Sequence, residues 1–374
     1  MVNKFAAASA LIGTIIGAGI LGIPYVVVKS GFPLGMLNLV VAGIVVMIIS
    51  LYLGEITLRT KKNHQLPGYA EKYLGKNGKK IMILVLAFDV YSAIIAYMIG
   101  VSESLSFLIF GDPSHTLLLG IAFWIFMSGL TYEGMRALKK GEEIGVILIL
   151  IFIISIAILY GNKVETANLA YSNLSNIFTP FGVMLFAFLA FAAIPEVKKI
   201  IGSEKRHMKK IIISSYILTA VIYAVFALIV VGSQGQKTPE LATLTLGIPF
   251  IVLGILTMFT SYLALSIALA DSLTEDYNYS KKKSWMLTIF FPLIIFILLE
   301  IFSLSSFTKV LSIGGIISVT MMATMIMLMI KNSRKSSELK PSYEMPYSKE
   351  IKWVFIAIII LFALGGLLEV INII

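Results

Sequence analysis

Long apolar runs separated by short polar gaps make up most of the 374-residue chain. A helix needs about 20 apolar residues to cross roughly 30 Å of hydrocarbon. Uncharged stretches near that length fall around residues 5–28, 34–58, 81–109, 117–135, 144–160, 177–195, 211–233, 242–270, 284–302, 307–330 and 351–373. The pattern predicts an all-α integral membrane protein with about 11 transmembrane helices. No gap between the runs exceeds about 22 residues, which leaves no room for a soluble domain. Residues 1–374 are therefore expected to form a single transmembrane domain. The first run, after Lys4, is too long for a cleavable signal and meets a second apolar run almost at once, so it reads as a permanent helix.

Composition strengthens this reading. Hydrophobic residues make up 58% of the chain and charged residues 13%, against about half and a quarter in soluble domains. The net charge of +10 lies in the polar gaps and forms no stripe on a solvated face, so nucleic acid is excluded as a partner and the lipid bilayer is the expected one. Positive residues are retained in cytoplasmic loops, and 26 of the 30 Lys and Arg residues fall on one side of the eleven-span scheme. They are Lys4 and the groups Arg59–Lys80, Arg136–Lys140, Lys198–Lys210, Lys281–Lys283 and Lys331–Lys352. Lys29, Lys163, Lys237 and Lys309 fall on the other side. This partition expects a multi-pass protein of the cytoplasmic membrane with its N-terminus inside and its C-terminus outside. The absence of cysteine removes disulfides, thiolate chemistry and cysteine metal sites.

Two spans about 170 residues apart carry helix-breaking residues. The first holds Gly13, Gly17, Gly19, Gly22 and Pro24; the sixth holds Pro180, Gly182, Ala187, Ala190, Ala192, Ala193 and Pro195. Glycine costs about 1 kcal/mol relative to alanine in a helix interior, and proline removes a backbone hydrogen bond. Unwinding within lipid is tolerated where the freed backbone groups line a cavity or hold a ligand. Interrupted spans at corresponding places in two halves point to a transporter site built on inverted repeats. A 5+5 plan follows, with repeat one at about 5–160, repeat two at about 177–330 and an extra helix at about 351–373. Small residues also permit close helix packing without any ligand, and Gly13-x-x-x-Gly17 fits that pattern formally.

The string GTIIGAGILGIPYVVVKSGF from Gly13 to Phe32 resembles the first-helix signature of the amino acid/auxin permease family. The likeness is strongest to its tryptophan and tyrosine permease branch, within the amino acid, polyamine and organocation superfamily. FAFLAFAAIPEV (Phe186–Val197), TSYLALSIALADSL (Thr260–Leu273) and HQLPGYAEKYLGKNGK (His64–Lys79) are similar to its sixth helix, eighth helix and first cytoplasmic loop. The resemblance implies a leucine-transporter-like fold with a central site between helices one, three, six and eight. It implies that the amides of Ala18 and Gly19 hold a substrate carboxylate, and that the carbonyl of Ile15 faces its ammonium. Carbonyls near Phe186 and Leu189 would complete the ammonium site, Phe186 would cover the substrate, Ala187 would make space and Tyr97 would reach the carboxylate. The carbonyls of Gly13 and Ile16 with the hydroxyls of Thr257, Thr260 and Ser261 would bind a cation, sodium being the one metal this set suits. Phe186, Phe188 and Tyr97 equally suit ordinary packing, and serine or threonine in a membrane helix commonly bonds its own backbone.

No charged side chain falls among these positions, which favours a neutral substrate, and the space suits a hydrophobic or aromatic amino acid. Acidic residues inside spans are costly and are functional candidates by default. Asp89 is the candidate proton carrier, or else the partner of a cytoplasmic lysine, so sodium and proton both stay open as the coupling ion. Glu55, Glu103, Glu300 and Glu369 sit toward span ends, where side chains reach water. His64, His115 and His207 lack metal-ligand spacing, and no cofactor is expected. The expected activity is secondary active import of an amino acid by cation-coupled alternating access. A polyamine or nucleobase carrier on the same scaffold is the alternative. A channel would want a continuous polar path, and an enzyme a nucleophile with its base or a metal site; the spans offer neither. The sequence sets no oligomeric state.

Overall fold

The computed structural model describes residues 4–133 and 141–348, with Glu350, Trp353 and Ala357 beyond them. Among the described residues the chain is helical, with no strand. In chain order the helices are α1 (Lys4–Ile15), α2 (Gly19–Ser30), α3 (Phe32–Arg59), α4 (Leu66–Phe110), α5 (Thr116–Glu133), α6 (Gly141–Tyr160) and α7 (Thr166–Leu169). They continue with α8 (Thr179–Ala187), α9 (Ala193–Ile201), α10 (Met208–Gln234), α11 (Ile248–Tyr277), α12 (Lys281–Ile301) and α13 (Phe307–Lys335). Seven of these are long and apolar enough to cross a membrane, and the α1–α2 pair makes an eighth if its halves count as one span. Helix α6 and the α8–α9 pair occupy the expected fifth and sixth stretches. The expected eleventh helix, 351–373, and the basic group Arg136–Lys140 lie outside the described residues apart from Trp353 and Ala357.

Large apolar side chains point outward along the spans. Leu84, Leu118, Ile158 and Ile294 are all more than half exposed, a surface that water would penalise and lipid accepts. Inside, α13 packs along α4 and α8, and α4 also packs along α11. Helices α3, α10 and α13 each pack on both interrupted spans. Their halves pair crosswise, α1 with α9 and α2 with α8, as two broken spans running in opposite directions must.

One expectation needs revision. The expected first cytoplasmic loop, 64–79, is largely helical, because helix α4 begins at Leu66, with Pro67 in its first turn, and runs 45 residues. It is bent at Gly75, whose φ of 74° and ψ of −170° are non-helical. A β-carbon there would be strained, so glycine divides a short helix at the polar end of the bundle from the span proper. Counting apolar runs misses such a piece because its charges, Glu71 and Lys72, interrupt the run.

Candidate functional site

Both breaks lie where the glycine and alanine clusters stand. Between α1 and α2 the chain leaves the helix over Ile16, Gly17 and Ala18 and the axis turns by 52°. Between α8 and α9 it does so over the five residues from Phe188 to Ala192. Each helix end carries backbone groups without intrahelical partners, and the structure satisfies several of them locally. Gly17 N–H donates to the Ile15 carbonyl at 2.9 Å, and Leu189 N–H donates to Phe186 at 3.0 Å.

The two breaks touch. A methyl group at Gly19 would lie 2.6 Å from the Ala187 Cα and 2.8 Å from its Cβ. Only the bare glycine lets the start of α2 rest on the end of α8. One residue earlier, Ala18 is fully buried. Two earlier, a methyl at Gly17 would lie 3.1 Å from the Tyr97 hydroxyl and 3.5 Å from the Ser261 Oγ. The Tyr97 and Ser261 hydroxyls thus stand close to each other at the break. The first break therefore has α8 on one side and a hydroxyl pair from α4 and α11 on another.

Several other sequence-selected residues fall around this centre. Phe186 is buried against the Gly314-Gly315 pair of α13, and Ser92 of α4 reaches Gly314. Leu189 is half-buried in the second break, and Gly13 is half-buried one turn before the first. Ile16 is buried within the first break. Thr257 donates to the carbonyls of Leu253 and Gly254 at 2.9 and 2.8 Å. Thr260 donates to Thr257 at 3.0 Å and is exposed, on the same row of α11 as Val252 and Leu256. Of the three hydroxyls, Ser261 is the one beside Gly17. Asp89 is half-buried on α4, facing the Ser318 hydroxyl of α13. It sits eight residues before Tyr97, about 12 Å along the helix axis.

Sequence reasoning missed α10. Tyr223 is fully buried and its hydroxyl lies 2.8 Å from both the Ile15 and the Ala187 carbonyl oxygens. Tyr216, two turns away, bonds the Ser50 hydroxyl at 2.7 Å and reaches the Phe188 carbonyl at 3.3 Å. The Phe188 ring stands 5.2 Å from the Tyr223 ring. The available signal is the seven-residue spacing of two tyrosines in a largely apolar span. It places both phenols on one helix face.

Paired broken helices in a bundle of membrane-spanning helices, with backbone polar groups gathered at their breaks, define the class of a membrane permease rather than an enzyme. Residues 1–245 match the family model for the tryptophan/tyrosine permease family, and the chain belongs to that family. Among curated proteins it is similar to amino acid transporter AVT1H of Arabidopsis thaliana, with 24% identity over 84% of this chain and 78% of the relative. It is also similar to glutamine transporter 2 of Aliivibrio fischeri, with 23% identity over 88% and 89%. A shorter stretch, 33% of this chain and 32% of the relative, is 30% identical to tyrosine-specific transport system 1 of Haemophilus influenzae.

Proposed function

We propose that the protein imports a neutral amino acid, hydrophobic or aromatic in preference, across the cytoplasmic membrane by cation-coupled alternating access. The observation that carries this reading is the direct meeting of the two breaks at Gly19 and Ala187, with Tyr97 and Ser261 beside Gly17. The start of α2 supplies amides and partial positive charge for a carboxylate, and the ends of α1 and α8 supply carbonyls for an ammonium. A zwitterion needs both. The names of the relatives, a glutamine and a tyrosine transporter among them, support a neutral amino acid as cargo. Ala18 and Gly19 are assigned to the carboxylate with Tyr97, and Ile15, Phe186, Ala187 and Leu189 to the ammonium end and the cover.

For the coupling ion we retain Thr257 and Ser261 with the carbonyls of Gly13 and Ile16. Thr260 is left outside the proposed set because it faces outward, whereas the Thr257 hydroxyl, which donates to its own helix and keeps its lone pairs, stays in it. Asp89 is the proposed carrier if the ion is a proton. The deciding experiment is uptake of a radiolabelled amino acid panel into proteoliposomes, with sodium and pH gradients imposed separately. Saturable uptake of neutral amino acids is expected, and none for any amino acid would reject the function. Under a sodium gradient, Ser261→Ala should remove stimulation while Thr260→Ala leaves it within about twofold. Under a pH gradient, Asp89→Asn should flatten the profile.

A further inference from the structure

One phenol on α10 serves both broken spans. The Tyr223 hydroxyl carries one proton, yet two carbonyl oxygens lie 2.8 Å from it, Ile15 at the end of α1 and Ala187 at the end of α8. Both are helix C-terminal carbonyls, where the helix dipole concentrates negative charge. All three residues are buried. A buried carbonyl with no donor is costly, and two of them facing each other add repulsion. The Ile15 carbonyl also accepts the Gly17 amide at 2.9 Å, so it is less dependent on the phenol than Ala187 is. The hydroxyl proton thus belongs mainly to Ala187, and Ile15 keeps a lone pair turned toward the same point.

We infer that Tyr223 is a positioning residue that stands in for the substrate ammonium, holding the ends of α1 and α8 together through its hydroxyl whenever no cargo lies between them. The inference rests on the amino acid transport reading above. An ammonium has three protons and could satisfy both carbonyls at once; the hydroxyl has one and does so in part. The phenol therefore stabilises the carrier chiefly while it travels unloaded, and contributes much less once an amino acid has taken over the carbonyls. This separates two transport modes. Net uptake requires the unloaded carrier to reorient, whereas exchange of internal for external amino acid proceeds through loaded states alone.

Tyr223→Phe keeps the ring against Phe188 and removes only the donor. In proteoliposomes, net uptake by this variant should fall about tenfold, the size expected from one buried carbonyl left without its donor. Exchange against preloaded substrate should stay within about twofold of wild type, and KM in exchange should not rise. Tyr216→Phe, which loses the Ser50 bond but neither of these carbonyls, should move uptake and exchange together. A parallel fall of both modes in Tyr223→Phe would overturn the inference and leave the phenol a packing element. Unchanged net uptake would overturn it as well. Wild-type protein that neither takes up nor exchanges any amino acid would reject the transport reading itself, an outcome distinct from both. A single symmetrical peak of each variant in gel filtration verifies folding.

Discussion

At Gly19 the chain has no room for even a methyl group, since one would meet the Ala187 backbone at 2.6 Å. Backbone cannot swing aside as a long side chain can. Overpacking of this kind costs about 1–3 kcal/mol, and here the strain would fall on the contact between the two breaks. Gly19→Ala is expected to reduce uptake at least tenfold while the protein still purifies as a folded species, and uptake beside a thermal melt checks both parts. Gly19 and Ala187 were legible in the sequence because glycine and alanine clusters in an apolar span mark a break without reference to anything else. Tyr223 was not, because its meaning depends on which carbonyls it meets across 208 and 36 residues of sequence. A tyrosine in a membrane span has many uses, and only the fold selects among them. For Thr260 the spacing from Thr257 and Ser261 was readable, but the outward face of α11 it occupies was not.

Among the elements, α8 and α13 depend most on small residues for their approach. A methyl at Gly315 would sit 2.6 Å from the Phe186 amide nitrogen and 2.8 Å from its Cβ. The Phe186 side chain is thus positioned by glycines on a facing helix. Without a hydrophobic drive between helices in lipid, such close backbone packing is a main source of association. Gly315→Ala should therefore separate α13 from α8 and lower the melting temperature of the detergent-solubilised protein, by an amount corresponding to about 1–3 kcal/mol. A melt within error of wild type would show that the helices can slide past the added methyl. The spans themselves were readable from apolar length alone, since lipid imposes a length on every crossing helix. The bend of α4 at Gly75 and the short helix before it were not, because charged residues there end the apolar run while helix formation continues.

Across the whole molecule, the basic end of the bundle is closed by a buried ionic knot. Glu55 of α3 has no exposed surface and is held by the Arg59 Nε, by two nitrogens of the Arg334 guanidinium at 2.9 Å, and by the Met345 amide at 2.6 Å. Its position near a span end suggested a side chain reaching water; instead the segment after α13 folds over it. That segment crosses the end of the bundle. The Tyr343 hydroxyl donates to the Leu51 carbonyl at 2.8 Å, Ser342 donates to Lys205 at 2.8 Å, and Glu338 pairs with Lys72 at 2.5 Å. The carboxylate pairs with two guanidiniums, so Glu55→Gln would leave the partly buried Arg334 without its carboxylate, while Arg59 keeps Glu344 at 2.8 Å. Losing one partner of a buried pair costs about 3–5 kcal/mol, a drop readable by thermal unfolding in detergent. The outer tie responds to pH instead. The Lys72 ammonium and the Lys61 amide hold the Glu338 carboxyl below the ordinary glutamate range. A group whose pKa is lowered by folding stabilises above its unfolded value and stops doing so as pH falls through its folded one. Hydrogen-exchange protection of residues 336–348 should accordingly persist at neutral pH and be lost only in strong acid. In Lys72→Ala the loss should begin at a higher pH, closer to that of a free glutamate. Identical acid profiles in the two proteins would mean that the segment is held down by the Glu55 knot alone.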